Sequence, residues 1–395
     1  MNKGIKIVIF DGSLNPTTFI NRLAMGLSQQ HNVLIVGFGS SKFKKLEGIQ
    51  YVSLGNNRSL VSMTLKSLTI ALGLLFKKGD VKAVFSVFRW SVSRDIFALK
   101  KFNFNTKIAD IAPAILHVQW PSLLPLIASQ LKNKQVKVIV SQRGYQINVR
   151  PFVNSENKTY LQKMYPQIDG FHSVSKAISE KGDLIYNQTS KIDHVVYSGF
   201  NMDALPFQES YNPTQPLKII TVGRPHWIKG NQYALKALQL LKQKGIDFIY
   251  EIVGVTTNEE LLYLIHAYGL TEQVILTSRV TQDIVYKKMK EASLFLLSSL
   301  EEGLPNVLVE AMALGVPVIS TDCGGVKELV EEGTGIVVPK RDAAAMAAAI
   351  IAFSEMPTAV INKQRKAARH KVAQQHTAKK MITGMESLYA ECLNA

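Results

Sequence analysis

Short apolar runs alternate with amphipathic segments along the whole chain. In the first half the runs predict strands at Ile5–Phe10, Val33–Phe38, Val81–Ser86, Ile115–His117, Val136–Ser141 and Phe171–Val174, with a short one at His194–Tyr197. Apolar spacing of three to four residues predicts helices between them, clearest at Ile20–Gln30 and Ser122–Lys134. In the second half strands are expected at Leu217–Val222, Phe248–Val253, Val274–Leu276, Leu294–Leu297 and Val316–Thr321. Helices are expected there at Gln232–Lys244, Glu260–Tyr268 and Asp283–Ala292, and from Asp342 onward with a break near Pro357. The alternation argues for two doubly wound α/β domains. Pro206, Pro213 and Pro216 punctuate a polar stretch that reads as a linker, dividing residues 1–205 from 206–376. Ligands of such domains bind at the carboxyl ends of the strands.

The most apolar stretch, Leu60–Lys78, is interrupted by Lys66 and by Thr64, Ser67 and Thr69, so it falls short of a spanning helix. A core helix is its default reading; an interfacial helix ending in Lys77 and Lys78 is the sharper one. The formal charge is +16, and it is unevenly spread. Residues 1–205 hold 26 Lys and Arg against 11 Asp and Glu, a net +15; residues 206–395 hold 20 against 19, a net +1. A polyanionic partner for the first half follows. The basic residues are scattered and form no nucleic-acid module, which favours an anionic membrane or a phosphorylated acceptor over nucleic acid. Two distant cysteines, Cys323 and Cys392, suggest a reducing compartment. The N-terminal apolar run is too short for a secretory leader, so a cytoplasmic location is expected, with the inner face of the cell membrane as the surface to be met.

The chemistry concentrates in EEGLPNVLVEAMALGVPVISTDCGG. Glu302 lies in a loop, Pro305 is expected at the first helical position, and Glu310 follows within the short helix. The free amides at that helix start form an anion site. Carboxylates accept from sugar and ribose hydroxyls, while the amides suit a diphosphate. Upstream, VGRPHWIKG brings Arg224 and Lys229 to a strand end between Gly223 and Gly230. Arg presents a planar fork of donors and Lys a mobile point charge, both suited to a diphosphate. No DxD pair stands near this run, so no metal is expected, and no cofactor beyond the donor substrate.

These segments, with VYSGFNMDALPF, resemble the retaining family 4 glycosyltransferases (glycosyl transferases group 1), which have the GT-B fold. The resemblance implies two Rossmann-like domains facing across a cleft, with the last helix, here about 377–395, crossing back to the first domain. It implies a sugar moved from a nucleotide-diphosphate sugar to a glycan or glycolipid acceptor. By resemblance, Arg224 and Lys229 stabilise the leaving diphosphate, Glu310 holds the ribose, and Glu302 lies over the transferred sugar. The backbone of Gly303, Leu304, Pro305, Asn306 and Val307 brackets sugar and phosphate.

In the first half the resemblance is thinner. His117 stands where the family often has His-x-His, but the second position is Gln119. Arg143 is a candidate for a donor or acceptor phosphate. The loop after the first strand, SLNPTTFIN, lacks the family's Gly-Gly pair; Thr17 and Thr18 would cap the helix and offer hydroxyls instead. Gly37 and Gly39 lack dinucleotide-motif spacing and are set aside. A GT-B phosphorylase, an epimerase or a non-catalytic nucleotide-sugar carrier are the alternatives.

Overall fold

The computed structural model describes residues 4–40, 43, 45–211, 213 and 215–395. The chain divides into two compact units: residues 1–174, 179–199 and 378–395 form unit 1, and residues 175–178 and 200–377 form unit 2.

Unit 1 holds strands β1 (Lys6–Ser13), β2 (Asn32–Phe38), β3 (Gln50–Ser53), β4 (Ile115–Val118), β5 (Lys137–Gln142), β6 (Gly170–Ser173) and β7 (Asp193–Val195). They form one sheet in the order β3-β2-β1-β4-β5-β6-β7, parallel throughout. Unit 2 holds β8 (Leu217–Val222), β9 (Phe248–Val253), β10 (Val274–Thr277), β11 (Leu294–Leu297), β12 (Val318–Thr321) and β13 (Ile336–Val338), ordered β10-β9-β8-β11-β12-β13. In both sheets the order reverses beside the first strand, between β1 and β4 and between β8 and β11. That reversal opens a crevice at the carboxyl ends of the strands.

The helices of unit 1 begin with α1 (Thr18–Leu27), α2 (Leu60–Lys78), α3 (Val81–Val92) and α4 (Ile96–Ile111). Short turns α5 (Leu124–Ile127), α6 (Tyr145–Asn148) and α7 (Arg150–Val153) follow, then α8 (Ser155–Met164) and α9 (Lys176–Asp183), whose first residues, up to Ile178, belong to unit 2. Unit 2 carries α10 (Asn231–Gln243), α11 (Glu259–Ala267), α12 (Gln282–Glu291), α13 (Asn306–Leu314), α14 (Val326–Leu329), α15 (Ala343–Ser354) and α16 (Thr358–Gln375). The last helix, α17 (Ala378–Asn394), belongs to unit 1 and packs beside α1. Gly26 makes that approach possible, because a Cβ there would lie 2.4 Å from Ile382 Cδ1.

Two expectations need correction. Val81–Ser86 is the start of helix α3, not a strand. Gly79 ends α2 in the left-handed region, and Asp80 then caps α3 by accepting from the Ala83 amide at 3.1 Å. The expected helix Ser122–Lys134 is broken into two 3₁₀ turns around the single turn α5. Pro121 and Pro125 each lack an amide to continue a helical ladder. The edge strands β3 and β13 were not among the expected ones.

Candidate active site

In unit 2 the chain leaves β8 through Gly223 into a loop that ends in Gly230 at φ +62°. A Cβ on Gly230 would lie 2.1 Å from the Ser298 carbonyl oxygen, so this loop sits against the one leaving β11. The Ser298 hydroxyl donates to the Lys229 carbonyl at 2.8 Å, and the Leu300 amide to the Ile228 carbonyl at 2.6 Å. Two strand ends at the sheet's switch point are thereby stitched together.

This stitching brings Lys229 to Glu302: Nζ donates to Oε1 at 2.6 Å. The buried Ser299 hydroxyl donates to the same oxygen at 2.9 Å. Gly223 leaves room for the lysine stem, since a Cβ there would meet Lys229 Cε at 3.3 Å. Gly223, Arg224, Lys229, Asn231 and Ser299 line one pocket, with Arg224 on the exposed side. On the other flank, Gly324 at φ +52° abuts Glu302, where a Cβ would stand 1.9 Å from its carbonyl oxygen. The Gly325 amide donates to the Gly303 carbonyl at 3.0 Å. The Gly-Gly turn thus closes over the backbone of the Glu302 loop.

Pro305 occupies the N-cap of α13, one position earlier than expected, and the helix begins at Asn306. Its first-turn amides, those of Asn306 and Val307 included, still open the helix at its positive end. Glu310, further along α13, is buried, and Oε1 accepts from Gln282 Nε2 and the Tyr286 hydroxyl, each at 3.1 Å. These two α12 side chains had no sequence signal beyond their i, i+4 spacing, nor did Ser299. Cys323 lies nearby, its thiol pushed up to about 12 by burial and by Glu302. Among the described residues no group of three His, Cys, Asp or Glu side chains is arranged to hold a metal ion.

Unit 1 has its own polar cluster at its switch point. Arg143, just past β5, is buried, stacks over the Phe19 ring at 4.6 Å and donates to Gln119 Oε1 at 3.1 Å. Its Nε is buried with no hydrogen-bond partner. The Trp120 indole donates to Asp11 Oδ1. Burial raises the Asp11 carboxyl to about 6 and lowers the Arg143 guanidinium to about 10, outweighing their mutual attraction. An acid raised in the folded state withdraws stability as pH climbs from its unfolded value toward 6. Asp11→Asn, which keeps an acceptor for Trp120, is therefore expected to be more stable than the parent at pH 8. The gain is about 2–3 kcal/mol by linkage, vanishing near pH 4. Trp120 fluorescence in the parent should titrate near pH 6; an inflection that survives in Asp11→Asn would assign the titration to another group.

His117 is a correction. It is fully buried, with Nδ1 at 2.8 Å from the Tyr389 hydroxyl and Nε2 at 2.8 Å from the Ser141 hydroxyl. Ser141 in turn meets His172 Nδ1 at 2.9 Å, and His172 Nε2 meets the Val196 carbonyl at 2.9 Å. A carbonyl only accepts, so His172 Nε2 carries its proton and Nδ1 accepts from Ser141. His117 then donates from Nε2 and accepts from Tyr389. Burial holds both imidazoles neutral, far below their ordinary range. With both ring nitrogens engaged, His117 tethers α17 to β4 instead of offering a nitrogen to a substrate. Thr17 stands at the N-cap of α1, but its side chain makes no capping bond; both it and Thr18 are exposed. The loop they follow is not without glycine at its root: Gly12 turns it at φ +79°. Gly12 to Asn15, Phe38 to Ser40 and Asn56 to Arg58 enclose a cavity of about 540 Å³, so Gly39, set aside as a motif, lines a pocket after all.

The family model for glycosyl transferases group 1 matches residues 205–374. The amylovoran biosynthesis glycosyltransferase AmsK of Erwinia amylovora is 30% identical over 299 residues, 73% of this chain and 72% of AmsK. WcaL of Escherichia coli strain K12, named for colanic acid biosynthesis, is 39% identical over 168 residues, 40% of this chain and 41% of WcaL. That alignment therefore reaches less than half of WcaL's own length. Sucrose-phosphate synthase from Thermosynechococcus elongatus has a similar structure, with a TM-score of 0.78 at 14% identity over 99% of this chain and 100% of that one. Anabaena HepE, solved in complex with UDP and glucose, reaches 0.72 at 16% identity over 98% and 100%. At such identities the two structures establish the GT-B fold and nothing finer. The extent of the AmsK match, together with the family model on unit 2, makes this chain a member of the glycosyl transferases group 1 family.

Proposed function

We propose that the protein moves a sugar from a nucleotide-diphosphate sugar to an acceptor hydroxyl of a growing polysaccharide, with retention of anomeric configuration. The observation that carries this is the Lys229–Glu302 pair at the switch point of unit 2, beside the opening turn of α13. Lys229 and Arg224 neutralise charge building on the leaving diphosphate, aided by the α13 amides. Glu310, held by Gln282 and Tyr286, accepts from the ribose hydroxyls. Glu302, oriented by Lys229 and Ser299, supports the transferred sugar. Neither carboxylate is assigned as a nucleophile: the acceptor attacks on the face the diphosphate leaves, and the leaving phosphate takes the acceptor's proton. Positioning then supplies most of the rate.

For the acceptor we assign unit 1, with Arg143 and the Arg58 cavity as its polar features. The name of AmsK supports a polysaccharide product, and the UDP and glucose in HepE support a nucleotide-sugar donor. Two free, buried thiols fit a cytoplasmic reaction.

A thermal-shift panel of nucleoside diphosphates and their sugars tests the donor site. One diphosphate at about 100 times its Kd should stabilise the protein by about 2.7 kcal/mol. Glu310→Ala should lose most of that shift at the same concentration. Silence across the panel would sink the donor assignment. Binding without turnover on any acceptor would favour a nucleotide-sugar carrier, and turnover of the free donor an epimerase. Product anomer by NMR decides retention.

A further inference from the structure

Helices α2 and α3 form a hairpin around Gly79 and pack on one another and on α4. Their inward faces are accounted for: Met63, Ser67, Ile70 and Ala71 of α2 and Ala83 and Val87 of α3 are buried. Their outward faces are apolar where a solvated helix would be polar. On α2, Val61, Leu65, Leu72 and Phe76 are exposed, Phe76 at 84%. These positions fall within a narrow stripe at 100° per residue. On α3, Val81, Phe85, Phe88 and Val92 are exposed and follow i, i+4, i+7, i+11, a second stripe of the same kind. Phe85 is 71% and Phe88 65% exposed. An apolar face of this extent marks a binding surface.

The charges around it identify the occupant. Residues 60–111 carry nine Lys and Arg against three Asp. Two of those aspartates are used as helix caps: Asp80 accepts from Ala83 N and Asp95 from Ala98 N. The third, Asp110, lies 3.8 Å from Lys107. On α3, Lys82 and Arg89 flank the apolar stripe, and Lys77 and Lys78 close α2 beside the turn. An apolar stripe rimmed by cations matches the boundary between acyl chains and anionic headgroups. Contrary to the expectation from its sequence, α2 is long and apolar enough to cross a membrane, but its inner face is packed within unit 1.

We infer that the α2–α3 hairpin is a peripheral membrane-binding face, lying in the plane of an anionic bilayer with Phe76, Phe85 and Phe88 in the headgroup boundary. This inference stands apart from the donor-site reading. Sedimentation of the full-length protein with vesicles tests it, using phosphatidylcholine alone or with 30% phosphatidylglycerol. The protein should partition to the anionic vesicles, at least about tenfold more than to neutral ones at low salt, with the preference shrinking in 0.5 M NaCl. Phe85→Ser with Phe88→Ser replaces exposed side chains, so folding is retained, and should cut partitioning by about tenfold or more. Lys77→Glu with Lys82→Glu should abolish the anionic preference. An alkaline carbonate wash should release the bound protein. No partitioning, equal partitioning of the Phe variant, or carbonate resistance overturns the inference. So does a dimer of the parent that the Phe variant dissolves without any vesicle binding, which would assign the face to a second copy.

Discussion

Lys229→Met should lower kcat by about 10²–10³, equivalent to about 2.7–4 kcal/mol of transition-state stabilisation, with donor KM changed only a few-fold. The expectation rests on where the side chain is held. Gly223 leaves space along its stem, and Glu302 Oε1 and the pocket at the end of β8 fix its ammonium. A cation anchored there before the donor arrives needs no reorganisation as charge grows on the leaving group. Methionine keeps the stem's volume and removes only the charge. Glu302 would retain the Ser299 hydroxyl at 2.9 Å, so its loop should stay in place. Because Lys229 and Glu302 act as a unit, the losses of Lys229→Met and Glu302→Gln should not add in the double variant. Lys229→Arg, which keeps charge but not shape, should fall between. A parent-like kcat in Lys229→Met, measured at saturating donor, would remove Lys229 from the chemistry.

Arg365→Met should destabilise unit 2 by about 3 kcal/mol, the second large effect. Arg365 is buried on α16 between the rings of Phe207 and Tyr211, at 5.2 and 5.0 Å. Nε donates to the Gly315 carbonyl at 2.5 Å, Nη1 to Asn362 Oδ1 at 2.6 Å, and Nη2 to the Gln208 carbonyl. Gly315 ends α13 in the left-handed region, so Arg365 satisfies a carbonyl at the negative end of the helix that bears Glu310. Methionine fills the space but strands the buried Gly315 carbonyl and the part-buried Gln208 carbonyl, at about 1–3 kcal/mol for a fully buried group and less for the other. Urea unfolding followed through Trp227, the tryptophan of unit 2, measures the change. A loss under about 1 kcal/mol would mean that water or a neighbour replaces the guanidinium. A raised donor KM at low temperature would report the looser α13.

The linker shows what local pattern misses. Residues around Pro206 read as a polar connection, yet Phe207 and Tyr211 are stacking partners of a cation more than 150 positions away. The strands of unit 2 were legible because parallel strands covered on both faces are mostly apolar runs, and β8, β9 and β11 fall where those runs lie. α3 was misread because VKAVFS fits a strand locally, while its helical stripe emerges only over twelve residues.

By itself the sequence determined the class of fold, the two-part layout and the signature loops with their glycines, cations and carboxylates. Those follow from short-range constraints: apolar periodicity, helix starts and turns that tolerate only glycine. Tertiary structure decided which groups are available to a ligand. His117 looked like a site residue until Tyr389 and Ser141 took both its nitrogens. Glu310 acquired its Tyr286 and Gln282 partners, and Asp11 its raised carboxyl, only when distant segments met. The apolar stripes of α2 and α3 could have been core; that they face outward is settled by what packs on their other sides. Burial and partner choice depend on the whole chain's path, which no local pattern encodes.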